Sequence, residues 1–62
     1  MAMAKKMTGL MEKHDYHGWT EDKAWICGDA SGATVEFDNY PEMTFGSYYE
    51  AEDYLWDRGY RY

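Results

Sequence analysis

The chain has one cysteine, Cys27, and one proline, Pro41. A single cysteine excludes an intramolecular disulfide and points to a reducing compartment. Aliphatic core formers are scarce: Leu10, Ile26, Val35 and Leu55 are the whole Leu, Ile and Val set. No stretch approaches the roughly 20 apolar residues of a membrane helix. No apolar run follows Lys5 and Lys6, so the start does not read as a signal peptide. The expectation is a soluble, cytoplasmic protein. Positive charge is also scarce, with six Lys and Arg against twelve Asp and Glu and a net charge of −6. Such a chain repels phosphate, which disfavours direct binding of nucleic acid.

What charge there is lies segregated along the sequence. Residues 1–13 carry Lys5, Lys6 and Lys13 against Glu12 alone. Residues 14–57 carry eleven carboxylates against Lys23 alone, and the tail adds Arg58 and Arg61. A central block this acidic attracts basic surfaces. Sixty-two residues make one small domain. A chain of this size buries only about 60% of its unfolded surface, so it needs every stabilising contact it can make. Aromatic residues supply the missing apolar bulk: seven Tyr, three Trp and two Phe, 19% of the chain. Rings and methionines must therefore build much of the core. Twelve rings exceed what so small an interior holds, and those left outside are good interface anchors.

Met3, Met7, Leu10 and Met11 recur at helical spacing and predict a short amphipathic helix over residues 2–13, weakened by Gly9. Residues 16–19 read as a short strand, with 20–22 as its turn. Residues 23–27 form a better strand, with Trp25 and Cys27 on one face and Ala24 and Ile26 on the other. Gly28, Asp29, Ser31 and Gly32 signal a turn. Residues 33–38 then alternate, Val35 and Phe37 inward, Thr34, Glu36 and Asp38 outward, which predicts a hairpin. Pro41 breaks the pattern, and residues 42–45 form a third pairing segment. Ser47 and Glu50 fit a capping box opening a helix over about 48–58, with Gly59 as its C′ residue. Residues 60–62 are an extended tail or disordered. The expected fold is α+β: a weak N-terminal helix, a two- or three-stranded antiparallel sheet, and a C-terminal helix packed on one face.

Drawn as a wheel, that last helix places Tyr48, Ala51, Tyr54 and Leu55 toward the sheet. Glu50, Asp53 and Asp57 form an outer stripe with Tyr49 and Trp56 at its edge, while Glu52 falls near the core face. The sheet adds Glu36, Asp38 and Glu42. These eight residues, Glu50, Asp53, Asp57, Tyr49, Trp56, Glu36, Asp38 and Glu42, are the candidate partner-binding set. A carboxylate stripe beside exposed rings suits a basic protein surface.

Catalytic and metal chemistry find little footing. His14, His17 and Cys27 fall one ligand short of a zinc site. The acidic residues do not follow a calcium-loop spacing. Cys27 with either histidine would be a nucleophile and base, but mid-strand it reads as a small buried hydrophobe. A domain that barely fills its core leaves little room for a substrate pocket. No metal, no cofactor and no enzymatic activity are expected.

In size, acidity and lack of a catalytic motif the whole chain resembles small phage-encoded anti-defence proteins, including DNA-mimicking anti-CRISPR proteins. The resemblance implies a non-enzymatic inhibitor acting in the host cytoplasm. Its partner would be a nuclease or CRISPR surveillance complex, contacted at a Lys/Arg-rich groove. The alternative is an interaction module or accessory subunit that binds through its rings, as a monomer or homodimer.

Overall fold

The computed structural model describes residues 6–62. Five strands and one helix follow in the order β1 (Met7–His14), β2 (Thr20–Asp29), β3 (Gly32–Phe37), β4 (Met43–Phe45), α1 (Tyr48–Asp57) and β5 (Tyr60–Arg61). The strands form one sheet in the order β4-β3-β2-β1-β5, each neighbouring pair antiparallel. Helix α1 lies across one face, against β2, β3, β4 and β5. This corrects the two- or three-stranded sheet flanked by two helices that the sequence suggests.

The largest correction is at the N-terminus. Met7–His14 is a strand, paired along its length with β2 from Met7 opposite Gly28 to His14 opposite Thr20. The part of the expected helix that includes Met3 lies outside the described residues. Met7 and Met11 are four apart, a spacing that puts two residues on one face of a helix and equally of a strand. Pairing with the ten-residue β2 decides between them. Thr8 and Gly9 are weak helix formers, and β2 offers a full ladder of hydrogen bonds to whatever lies beside it. Gly9 then has a packing role. The Tyr48 hydroxyl and the Tyr62 ring occupy the space a Cβ would fill, so both rings close directly over the β1 backbone.

Residues 16–19 are the turn between β1 and β2, and 20–22 are strand, the reverse of the expected assignment. Asp15 builds this turn. Its carboxylate accepts hydrogen bonds from the backbone N–H groups of His17 at 2.8 Å and Trp19 at 3.1 Å. Its own N–H donates to the Trp19 carbonyl at 3.0 Å. The next hairpin is tighter: Asp29 pairs with Gly32, and the Asp29 carboxylate accepts from the Ser31 N–H and hydroxyl. Those Ser31 bonds hold the Asp29 carboxyl below its ordinary value.

Alternation sorts each strand between the two faces of the sheet. Met11, Ala24, Ile26, Ala33 and Val35 face the helix and are buried against Tyr48, Ala51 and Leu55. Full burial of a Leu- or Ile-sized side chain contributes about 1.5–3 kcal/mol. Ser47 caps the helix, its hydroxyl accepting from the Glu50 N–H at 3.1 Å. The Glu50 carboxylate reaches back to the Gly46 N–H at 2.9 Å, so both members of the box serve the helix start. At the other end Arg58 and Gly59 donate N–H bonds to the Leu55 and Trp56 carbonyls. Gly59 has φ +95°, a left-handed conformation that glycine adopts without Cβ strain. The chain then turns into β5, where Glu12 pairs with Arg61 and Lys13 with Tyr60.

One buried carboxylate ties the ends together. Asp22, 3% exposed, accepts from the Tyr60 hydroxyl at 2.5 Å and from the Asn39 N–H and side-chain amide at 3.0 Å each. It links β2 to β5 on one side and to the segment after β3 on the other. Burial, helped by this hydrogen bond to Asp22, pushes the Tyr60 phenol well above its ordinary value.

Candidate partner-binding surface

The twelve carboxylates divide into two groups by what the chain does with them. Six have partners within the fold. Asp15, Asp29 and Glu50 bind turn or cap N–H groups, and Asp22 binds Tyr60 and Asn39. Glu52 accepts from the Tyr62 hydroxyl, and Glu12 accepts from Thr20 and lies 3.7 Å from the His14 imidazole. The other six, Glu21, Glu36, Asp38, Glu42, Asp53 and Asp57, are exposed and have no hydrogen bond or ion pair among the described residues.

The chain does not place its arginines on these carboxylates. The Arg61 guanidinium lies 3.8 Å from the centre of the Trp56 ring and donates to the Trp56 and Tyr60 carbonyls. Arg58 lies 4.6 Å from the centre of the Tyr54 ring. Cation–π contact here takes the place of charge neutralisation. No direct ion pair therefore neutralises these carboxylates, and their field, screened by water and salt, is open to a basic partner.

The structure splits the sequence-predicted set. Asp53 and Asp57 lie one turn apart on the outer side of α1, and Tyr49 and Trp56 are exposed on the same helix. These four form one patch. Arg61 occupies one face of Trp56 and Tyr48 meets Tyr49 edge-on, which leaves Trp56 52% and Tyr49 58% exposed. Glu50 belongs to the same helix, but its carboxylate is engaged at the N-terminus. Glu36 is on β3, directly opposite Trp25 of β2 and on the sheet face away from the helix. Asp38 follows at the end of the same strand, its N–H bonded to the Lys23 carbonyl. Glu42 precedes β4 and lines a hollow on the helix side.

The open sheet face forms a shallow groove of about 510 Å³, lined by Thr8, Trp25, Cys27, Thr34 and Glu36 over the backbone of Gly9 and Ile26. Cys27 is exposed there, which corrects its expected burial. Among the described residues only one face of the sheet is covered, and Cys27 is on the other. It sits opposite Thr8, while His14 sits opposite Thr20 at the far end of β2. Seven residues of strand separate Cys27 from Thr20, about 23 Å, so the thiol and the imidazole do not meet. Among the described residues no three His, Cys, Asp or Glu side chains converge as a metal site requires. No helix among them is long and apolar enough to cross a membrane.

Sequence reasoning passed over one exposed aromatic pair. Tyr16 is 93% and Trp19 73% exposed at the tip of the β1–β2 hairpin. The signal was present: Asp at the first and Gly at the fourth position, Asp15 and Gly18, mark a type I turn.

The chain matches no protein-family model, no curated protein and no solved structure.

Proposed function

We propose that the protein is a non-enzymatic inhibitor that binds a basic surface of a nucleic-acid-binding protein, with the outer face of α1 as the contact. It acts in the cytoplasm, where such effectors meet their nucleic acid. The observation that carries this reading is the set of six exposed carboxylates that have no partner among the described residues while the arginines stack on rings. Asp53 and Asp57 offer two charges on a rigid helix, and Tyr49 and Trp56 offer apolar area beside them. That pairing of charge for steering with rings for affinity suits a Lys/Arg-rich groove that normally holds phosphates. In that respect the protein would act as a DNA mimic of the anti-CRISPR type.

The test is capture of partners from a bacterial lysate on the immobilised protein, followed by elution with duplex DNA. The expected result is a nucleic-acid-binding protein that DNA displaces and that raised salt weakens steeply. A captured protein that neither DNA nor salt displaces would contradict the reading.

A second reading rests on the open sheet face. Leu10 and Trp25 pair across β1 and β2 there and are both partly exposed. They would serve an interaction module that associates through apolar contact, with itself or with a partner unrelated to nucleic acid. Sedimentation over a range of concentrations separates the two readings: self-association abolished by Trp25→Ser supports this one.

A further inference from the structure

Beneath the C-terminal end of α1 the sheet and helix do not close. A hollow of about 460 Å³ remains between the helix, β5 and the segment that carries Tyr40 and Pro41 from β3 to β4. This volume is within the range of small-molecule sites, about 300–1,000 Å³. It is also where the expectation of a pocketless domain fails. Four rings, Phe37, Tyr40, Tyr54 and Tyr60, contribute to its lining. Phe37 meets Tyr40 and Tyr60 edge-on at centroid distances of 6.1 and 6.0 Å. The Tyr60 hydroxyl is committed to Asp22, so Tyr60 offers the hollow its ring rather than its polar tip.

The charge of this lining differs from that of the molecule. Lys13 and Arg58 both belong to it, and neither has a carboxylate partner within ion-pair distance among the described residues. The Lys13 ammonium lies 5.9 Å from the centre of the Tyr60 ring, and Arg58 lies over Tyr54. Glu42 is the one carboxylate in the lining. Asp57 lies in the adjoining depression with Lys13, Tyr54 and Arg58. The lining itself sets two cations against one carboxylate, with Asp57 and the Asp22 carboxylate behind Tyr60 close by, so the hollow concentrates cations in a protein of net charge −6. Neighbouring carboxylates that offset part of that charge suit a monoanion better than a phosphate dianion.

We propose that this hollow binds a small aromatic carboxylate, its ring among Phe37, Tyr40, Tyr54 and Tyr60 and its carboxylate between Lys13 and Arg58. The ring gains offset and edge-on contacts with the walls. The carboxylate gains charge-assisted hydrogen bonds, which the planar Arg58 guanidinium can make in pairs. A cationic analogue of the same size meets Lys13 and Arg58 and is rejected by like charge. The site is independent of the partner reading above.

The probes are indole-3-acetate, neutral indole and cationic tryptamine, titrated into the full chain with amide chemical shifts as the readout. Indole-3-acetate should saturate with a Kd of about 1 mM or tighter. The shifts should be confined to the surroundings of Lys13, Phe37, Tyr40, Tyr54, Arg58 and Tyr60. Tryptamine should bind at least about tenfold more weakly, with indole between them. Arg58→Met and Lys13→Met should each weaken indole-3-acetate by about fivefold. Both positions border solvent, and thermal unfolding of each variant verifies that it folds. Three results overturn the proposal: no saturation by about 10 mM indole-3-acetate, tryptamine binding as tightly, or both variants binding as well as the parent. Should either variant fail to fold, the comparison of the three probes on the parent chain still decides.

Discussion

The two faces of the sheet come from the same strands by strict alternation, yet only one is a core. The covered face carries Met11, Ala24, Ile26, Ala33 and Val35, closed by Leu55 and Ala51 of the helix. The bare face carries Thr8, Leu10, Trp25, Cys27, Thr34 and Glu36. Composition explains the difference. Of four Leu, Ile and Val residues, three are buried on the helix side, and Leu10 alone remains for the other. A chain with so few aliphatic residues can pack one layer against its sheet and no second one. Its remaining bulk is aromatic, and much of that stays exposed, where rings serve recognition better than stability. The core thus lies on one side of the sheet, while the exposed rings are spread over the bare face (Trp25), the outer side of α1 (Tyr49, Trp56) and the β1–β2 turn (Tyr16, Trp19).

Truncation should break this comparison most sharply. Leu55→Ala empties the centre of the covered face and should cost about 3 kcal/mol in urea unfolding. Leu10→Ala on the bare face should cost less than about 1 kcal/mol. Equal costs would mean that the bare face is covered in solution. Asp22→Ala should follow closely, at about 2–3 kcal/mol, because it strands the Tyr60 hydroxyl and the Asn39 amide. The burial of Tyr60, helped by its hydrogen bond to Asp22, also gives the fold an alkaline limit. The Tyr60 phenol ionises less readily folded than unfolded, so the stability it contributes is complete below its ordinary value of 10.0 and falls as pH rises beyond it. An unfolding transition followed from pH 8 to 11 should lose stability in the parent and lose less in Tyr60→Phe. Gly9→Ala is a smaller insult, about 1–2 kcal/mol, since Tyr48 and Tyr62 must retreat from the new methyl group. Cys27→Ser marks the lower limit: an exposed thiol replaced by a hydroxyl should leave the midpoint within about 0.5 kcal/mol.

How much of this was legible in the sequence varied with how local the determinant was. The capped helix from Ser47 to Gly59 depends on contacts a few residues apart, and Ser, Glu and Gly stand at the positions that cap chemistry requires. The hairpin of β2 and β3 was similarly open to reading, from alternation on both sides of a Gly, Asp and Ser turn. Strand β1 was not. Its methionine spacing fits either period, and what decides is the long-range pairing of Met7–His14 with β2, which no window of β1 contains. Strand β5 is only two residues long, and it depends on long-range contacts: pairing with Glu12 and Lys13 of β1, and the bond from Tyr60 to Asp22, thirty-eight positions earlier. The candidate site shows the same division. The helix periodicity brings Tyr49, Asp53, Trp56 and Asp57 together. Only the tertiary structure shows that Glu36 and Asp38 belong to another side, that Glu50 is engaged in a cap, and that arginines stack on rings.

The central claim is that the outer face of α1, and not the bare sheet face, meets a basic partner. The direct measurement compares Asp53→Lys/Asp57→Lys with Leu10→Ser/Trp25→Ser in one assay, the DNA-elutable capture of partners from a bacterial lysate. Asp53 and Asp57 have no hydrogen-bond or ion-pair partner among the described residues, so the first pair should leave the unfolding midpoint nearly unchanged. The account predicts that this pair abolishes capture while the sheet-face pair retains it. Capture that survives the helix reversals and disappears with Leu10 and Trp25 would contradict it and move the binding surface to the open face of the sheet.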